Sequence, residues 1–128
     1  MSLLQIENLN IRYRTLAGEV RAADQVTFNL EENQSLGLVG ESGCGKTTVA
    51  KAILRLLPPN GYVSGGKILF RGRDILPLSE DDFRKLRWKE ISMISQSAMN
   101  SLDPVYRVED QIIEAIRAHE PLNREQAR

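Results

Sequence analysis

Apolar and polar residues alternate through the first thirty positions. Leu4 and Ile6, then Leu9, Ile11 and Tyr13, mark one strand, Thr15 to Glu19 read as a loop, and Val26, Phe28 and Leu30 mark a second strand with one apolar face. The pair reads as antiparallel sheet. The pattern changes at Gln34-Ser35-Leu36-Gly37-Leu38-Val39, a short apolar run ending at glycine, which has the form of a buried strand. Residues 47–57 then carry apolar side chains at helical spacing until Pro58-Pro59 stops them. Asn60-Gly61 and Gly65-Gly66 frame a turn into Lys67-Ile68-Leu69-Phe70, a short strand that joins the antiparallel layer. Ser79 followed by Asp82 offers a capping box for a short helix through about Arg87. Residues 90–95 read as a second buried strand. Residues 108–117 form a helix with Val108, Ile112, Ile113 and Ile116 on one face, and Arg124 to Arg128 look like the first turn of another. There is no internal repeat and no low-complexity segment.

Between the apolar run at 34–39 and the helix at 47–57 lies Gly40-Glu41-Ser42-Gly43-Cys44-Gly45-Lys46-Thr47, a complete G-x-x-x-x-G-K-[ST] pattern. The pattern fixes few positions, so its value depends on a strand before it and a helix after it, and both are expected here. Gly40, Gly43 and Gly45 lack a β-carbon, which lets the backbone turn tightly and aim successive N–H groups at phosphate oxygens. The following helix points its positive end at the same place. Lys46 then reaches the β- and γ-phosphates, and the Thr47 hydroxyl ligates the magnesium ion (Mg2+) that bridges them. The cradle is thus assigned to Gly40, Glu41, Ser42, Gly43, Cys44, Gly45, Lys46, Thr47 and Thr48, with ATP as ligand. A glycine-rich turn without a ligand would leave the Lys-Thr pair without an evident purpose. Cys44 is read as a small space-filling residue.

Composition narrows the setting. With 41% hydrophobic and 27% charged residues, the 128-residue chain has the balance of a globular protein, and 17 basic against 17 acidic residues leave no net field to favour nucleic acid. A single cysteine cannot form an internal disulfide. No signal peptide is present, and the apolar runs are far shorter than the ~20 residues of a membrane helix. These features place the chain inside the cell and not across a bilayer.

Several of these residues together resemble the nucleotide-binding subunits of ABC transporters: an aromatic well before the phosphate loop, the loop itself, and a segment ending in Ser95-Gln96. More narrowly, Ser95-Gln96-Ser97-Ala98-Met99-Asn100-Ser101-Leu102-Asp103-Pro104 is similar to the glutamine-loop segment of the dipeptide, oligopeptide and nickel importer branch, and Leu4 to Leu9 and Gly18 to Ala22 suit the same branch. The resemblance implies an α/β fold, a partial P-loop NTPase core with an amino-terminal antiparallel β layer. It implies that Tyr13 stacks on adenine, although alternation equally predicts that Tyr13 packs with Leu9 and Ile11 in the core. It implies that Gln96 touches the magnesium ion or the attacking water, so that Lys46 and Gln96 serve catalysis and Thr47 and Gln96 the metal. The implied partners are transmembrane permease subunits and a second nucleotide-binding subunit, identical or not, at the cytoplasmic face of the inner membrane. The implied activity is ATP hydrolysis coupled to uptake of peptides or a related small solute.

The family also carries a Leu-Ser-Gly-Gly-Gln signature, an apolar strand ending in Asp-Glu and a histidine beyond it, and none occurs in this sequence. Val63-Ser64-Gly65-Gly66-Lys67 precedes the glutamine loop and reads as a turn. His119, the sole histidine, reads as an exposed helix-end residue. The 128 residues therefore read as the amino-terminal part of one nucleotide-binding domain, with an open sheet edge where the acidic strand belongs. Taken alone they lack a base and are expected not to turn over. A non-catalytic binding or assembly piece is the alternative; a self-contained P-loop kinase or GTPase would need a second acidic magnesium site or a guanine-specific motif, and neither is found. The basic stretch Arg84 to Lys89 reads as a solvated helix face with Trp88 tucked inward.

Overall fold

Two long strands carry the first unit: β1 (Ser2–Thr15) and β2 (Gly18–Glu31) form a hairpin joined by Leu16 and Ala17 alone. The loop expected over 15–19 is thus a two-residue turn, closed by the Thr15 hydroxyl donating to the Gly18 carbonyl at 2.6 Å. β1 also pairs antiparallel with β3 (Gly61–Phe70), which pairs with the short β4 (Arg73–Asp74), giving the order β2-β1-β3-β4. The computed structural model describes residues 1–41, 43 and 45–128, Met99 by its backbone only. They divide into two units, Met1–Phe83 and Arg84–Arg128, each described by itself.

The spacing Ile6, Leu9, Ile11 breaks strict alternation, yet all three side chains are fully buried. An odd step can keep one face only if an extra residue resets the phase, and the pairing register does shift between Ile6 and Leu9. Asn8 takes the extra turn with φ 48°, a left-handed backbone that asparagine tolerates. Thr27 Oγ1 accepts from its N–H at 2.9 Å, and Asn10 Nδ2 donates to its carbonyl at 2.8 Å. On the other side Gly66, at φ 94°, lies so close to the Asn8 carbonyl that a β-carbon would collide with backbone. Val63 to Gly66 are therefore part of β3 around a bulge, not the turn into a strand at 67–70 that the glycines suggested.

The core of this unit is Ile6, Leu9, Ile11, Ile68, Phe70, Ile75 and Phe83, with Val49 and Ala52 from helix α1 (Lys46–Ile53), packed on the sheet, and Leu54 just after it. α1 stops well short of residue 57. Arg55, at φ 54°, turns the chain out of the helix before the two prolines are reached. Helix α2 (Glu80–Leu86) begins where the sequence placed it, with Ser79 Oγ accepting from the Asp82 N–H at 3.2 Å.

Two expected strands are not formed. Residues 34–39 belong to no sheet, and Leu36, Leu38 and Val39 are exposed, Val39 at 97%. An apolar run becomes a strand only when a neighbour takes its backbone groups, and no strand among the described residues does so. Among the described residues the parallel strand pair and its expected open edge are therefore not formed, while the antiparallel β layer with helix α1 packed on it is, in keeping with an α/β fold that holds a partial P-loop NTPase core. Residues 90–95 also fail. Their start is consumed by a tight turn in which the N–H of Trp88, at φ 69°, donates to the Ile91 carbonyl and the N–H groups of Glu90 and Ile91 donate to the Leu86 carbonyl, and Ile94 is 91% exposed.

The second unit contains helices α3 (Val108–His119) and α4 (Arg124–Ala127), preceded by a short 3-10 turn at Ala98–Ser101. Of the expected apolar face only Ile113 is buried; Val108 and Ile112 are about half exposed. Asn123 and Gln126 form the capping box that starts α4. Arg124 pairs with Asp110, and Arg128 with Glu109 at 2.6 Å. Trp88, expected to tuck inward, is 51% exposed, whereas His119, expected to be exposed, is partly covered at the end of α3.

Candidate functional site

Lys46 opens α1, and Gly45 before it has φ 95° with no side-chain cap on the helix. Gly43 has φ 82°. Two left-handed glycines within three residues give a loop that other side chains would strain. A β-carbon at Gly45 would also meet the Ala22 carbonyl of β2, so the loop end presses against the hairpin. The first turn of α1 contains no acidic residue, which leaves the helix dipole uncompensated at the position where an anion is stabilised. Lys46 Nζ donates to the carbonyls of Gly40 and of Glu41, the latter at 2.9 Å, folding the ammonium over the loop. Ser42 and Cys44, also assigned to the cradle, lie outside the described residues.

Thr47 is exposed and Thr48 is half-buried one position further along. The Thr48 hydroxyl lies 3.3 Å from the Tyr13 hydroxyl, so β1 brings the aromatic side chain to the first turn of the helix that carries Lys46. Tyr13 is half-buried, intermediate between the core residue and the open stacking platform that the sequence allowed. Gln96 belongs to the second unit, exposed in the turn before Ala98. The loop after it is pinned by Gln111. Gln111 Oε1 accepts from the Asp103 N–H at 2.8 Å, and its Nε2 donates to the carbonyls of Asp103 and Tyr106 at 2.9 and 3.2 Å. Nothing in the spacing singled out Gln111 for this, because a helical glutamine reads as solvent-facing.

A cleft of about 450 Å3 opens between β2 and α1, lined by Ala23, Val26, Phe28, Leu38 and Val49 with Lys46 at its side. Its walls are mostly apolar.

Next to Tyr13, and on the opposite face of β1 by strand alternation, stands a polar cluster. Tyr62 Oη donates to Glu19 at 2.5 Å, Arg12 pairs with Glu19 at 3.3 Å, and the Arg14 guanidinium lies 4.4 Å above the Tyr62 ring. The bond from Tyr62, followed by Arg12, holds the Glu19 carboxyl below its ordinary 4.5, and the same bond raises the Tyr62 hydroxyl above 10.0. The contribution of a lowered carboxyl is present above its unfolded value and is lost as pH falls through the folded one; that of a raised phenol is present below pH 10 and lost as pH rises further. Tyr62→Phe is therefore expected to move the Glu19 carboxyl titration, followed by NMR, back up toward the free value. An unmoved titration would show that the bond from Tyr62 is not what holds it down.

A family model described as "ABC transporter" matches residues 23–128. The oligopeptide transport ATP-binding protein OppD of Bacillus subtilis is 44% identical over 127 residues, covering 98% of this chain and 36% of that protein. The dipeptide transport ATP-binding protein DppD of Lactococcus lactis is 43% identical over 117 residues, 91% of this chain and 34% of that protein. The chain thus spans about a third of the length of these relatives. Among solved structures, the dimeric MJ0796 cassette in a post-hydrolysis state with ADP and Pi superposes with a TM-score of 0.76 at 17% identity, over 97% of this chain and 53% of that one. No helix among the described residues is long and apolar enough to cross a membrane. In sequence and in fold, this chain belongs to the ABC transporter family.

Proposed function

We propose that this chain binds the ATP of an importer subunit that couples ATP binding and hydrolysis to uptake of peptides or a related small solute. The peptide-transport names of its relatives support the solute class. The observation that carries the ATP reading is local: a loop with two left-handed glycines ends at an uncapped helix start, and Tyr13 is tied to that same helix through Thr48. The residues form the amino-terminal part of one nucleotide-binding domain.

In this reading the amides at the start of α1 and the Lys46 ammonium hold the phosphates, the ammonium exchanging the Gly40 and Glu41 carbonyls for phosphate oxygens. The glycine loop suits such a ligand, since side chains at 43 and 45 would strain or fill it. Tyr13 holds the adenine by its ring face, which grips a purine without reading its edge. Thr47 and Gln96 are the residues that would hold magnesium, which would offset the negative charge that builds up on the phosphates during transfer. Gln96 would in addition orient the attacking water. The segment from Gln96 to Tyr106, held in shape by Gln111, faces the permease partners at the cytoplasmic side of the membrane, and a second nucleotide-binding subunit completes each ATP site.

Calorimetric titration with magnesium-ATP and with magnesium-tripolyphosphate tests the assignment of the base. Tyr13→Ala is expected to weaken ATP by roughly fivefold or more, the size of a lost base-aromatic stack, and to leave tripolyphosphate unchanged. Equal affinity for ATP in both proteins would remove Tyr13 from the site.

A further inference from the structure

The Tyr13 ring is seated on a glycine that sequence patterns assign only to a turn. β1 and β3 pair Tyr13 with Gly61. A β-carbon on Gly61 would lie 2.8 Å from the ring Cε1 and 3.1 Å from Cδ1, with Leu57 Cβ at 3.4 Å closing another side. Carbon atoms do not approach so closely, so alanine at 61 and the ring in its present place exclude each other. Backbone geometry is not what calls for glycine here, because Gly61 lacks the positive φ of Gly43, Gly45 and Gly66.

Gly61 is also held in place. Its N–H donates to the Pro58 carbonyl at 2.8 Å, the Arg14 N–H donates to the Asn60 carbonyl at 2.8 Å, and Asn60 Nδ2 returns a bond to the Arg14 carbonyl at 3.1 Å. These bonds fasten the turn after α1 to the strand residue following Tyr13. When the space beneath the ring is filled, the ring is the part that must move. Its far end meets Thr48 at 3.3 Å, so a displaced ring also loses its link to α1.

We propose that Gly61 is a positioning residue for the nucleotide base: its missing side chain sets the height and tilt of the Tyr13 ring relative to the phosphate-binding helix. The inference rests on the reading that Tyr13 stacks on adenine. Gly61 itself touches no ligand and acts only through the ring, which presents a preset face to the purine at the distance fixed by Thr48.

The test is a double-variant cycle read with two magnesium-bound probes, ATP and inorganic tripolyphosphate. Gly61→Ala is expected to weaken ATP binding roughly three- to tenfold, as for a partly lost base-aromatic contact, and to leave tripolyphosphate unchanged. In a Tyr13→Ala background the same substitution is expected to have no further effect, because the ring it displaces is gone. An ATP loss that persists in that background, or an equal loss for both probes, would overturn the positioning role and leave Gly61 a general structural residue. Unchanged ATP affinity in Gly61→Ala, with Tyr13→Ala weakened, would overturn the inference while sparing the stacking reading. Unchanged affinity in Tyr13→Ala itself would overturn both. Should Gly61→Ala unfold, recovery of folding in the double variant supports the overlap, and failure to recover refutes it.

Discussion

Lys46→Ala is expected to weaken magnesium-ATP binding by roughly a hundredfold or more, the loss of two charge-assisted hydrogen bonds to phosphate oxygens. Lys46 begins α1, and its ammonium folds back to the Gly40 and Glu41 carbonyls, which places a positive charge beside the loop proposed to bind phosphate. The alanine variant keeps the glycines and the uncapped helix start, so it isolates the charge. Two measurements are needed: the affinity by titration, and the melting temperature, because the lost bonds to Gly40 and Glu41 also tie the loop together. A hundredfold loss in a protein that still melts near the parent temperature supports a direct role in phosphate binding. An ATP affinity within a factor of two of the parent would refute the phosphate-loop assignment altogether.

The parts of this fold that the sequence announced are those with local causes. The loop-to-helix junction, expected with the helix from 47 and found with α1 starting at Lys46, was legible to within a residue because glycines and Lys-Thr have a backbone rationale, and the hairpin was legible from alternation. The strands at 34–39 and 90–95 were misread because an apolar run records only a tendency to be covered, whereas strand formation depends on a partner. Residues 34–39 find none among the described residues, and the turn through Trp88 takes the backbone groups of Ile91. The bulge at Asn8 was visible in hindsight as the odd step between Ile6 and Leu9, while its counterpart at Gly66 required knowing the pairing. The site divides the same way. Lys46 and its loop could be read directly, and Tyr13 only through resemblance. Gly61 and Gln111 act through residues distant in sequence, and no local pattern marks them.

Arg55 is the clearest case of such a residue, and its removal is expected to cost about 3 kcal/mol of stability. Leaving α1 with a left-handed φ of 54°, it directs its guanidinium Nη2 to the carbonyls of Ile75, Leu76 and Leu78 at 2.9, 2.8 and 2.6 Å. The same group lies 4.4 Å from the centre of the Phe83 ring and 3.7 Å from Glu80. Its side chain is only 23% exposed, so solvent cannot fully replace these bonds when it is cut away. The ion pair adds little, because Glu80 is 54% exposed and a pair of that kind is screened. The three carbonyls, which share the two N–H groups of Nη2, decide the magnitude: Arg55→Ala leaves them short of a donor beside buried Ile75 and Phe83, while Arg55→Lys keeps the charge and a donor nitrogen but loses the planar group over the Phe83 ring and the second nitrogen that faces Glu80. Urea unfolding should place lysine between the parent and alanine. Glycine gives a further comparison, since it relieves the left-handed backbone and should recover up to about 1 kcal/mol relative to alanine. An Arg55→Ala variant within 1 kcal/mol of the parent would mean that the segment 75–83 is held by its apolar side chains alone, and that the helix carrying the phosphate loop does not depend on this arginine for its seat.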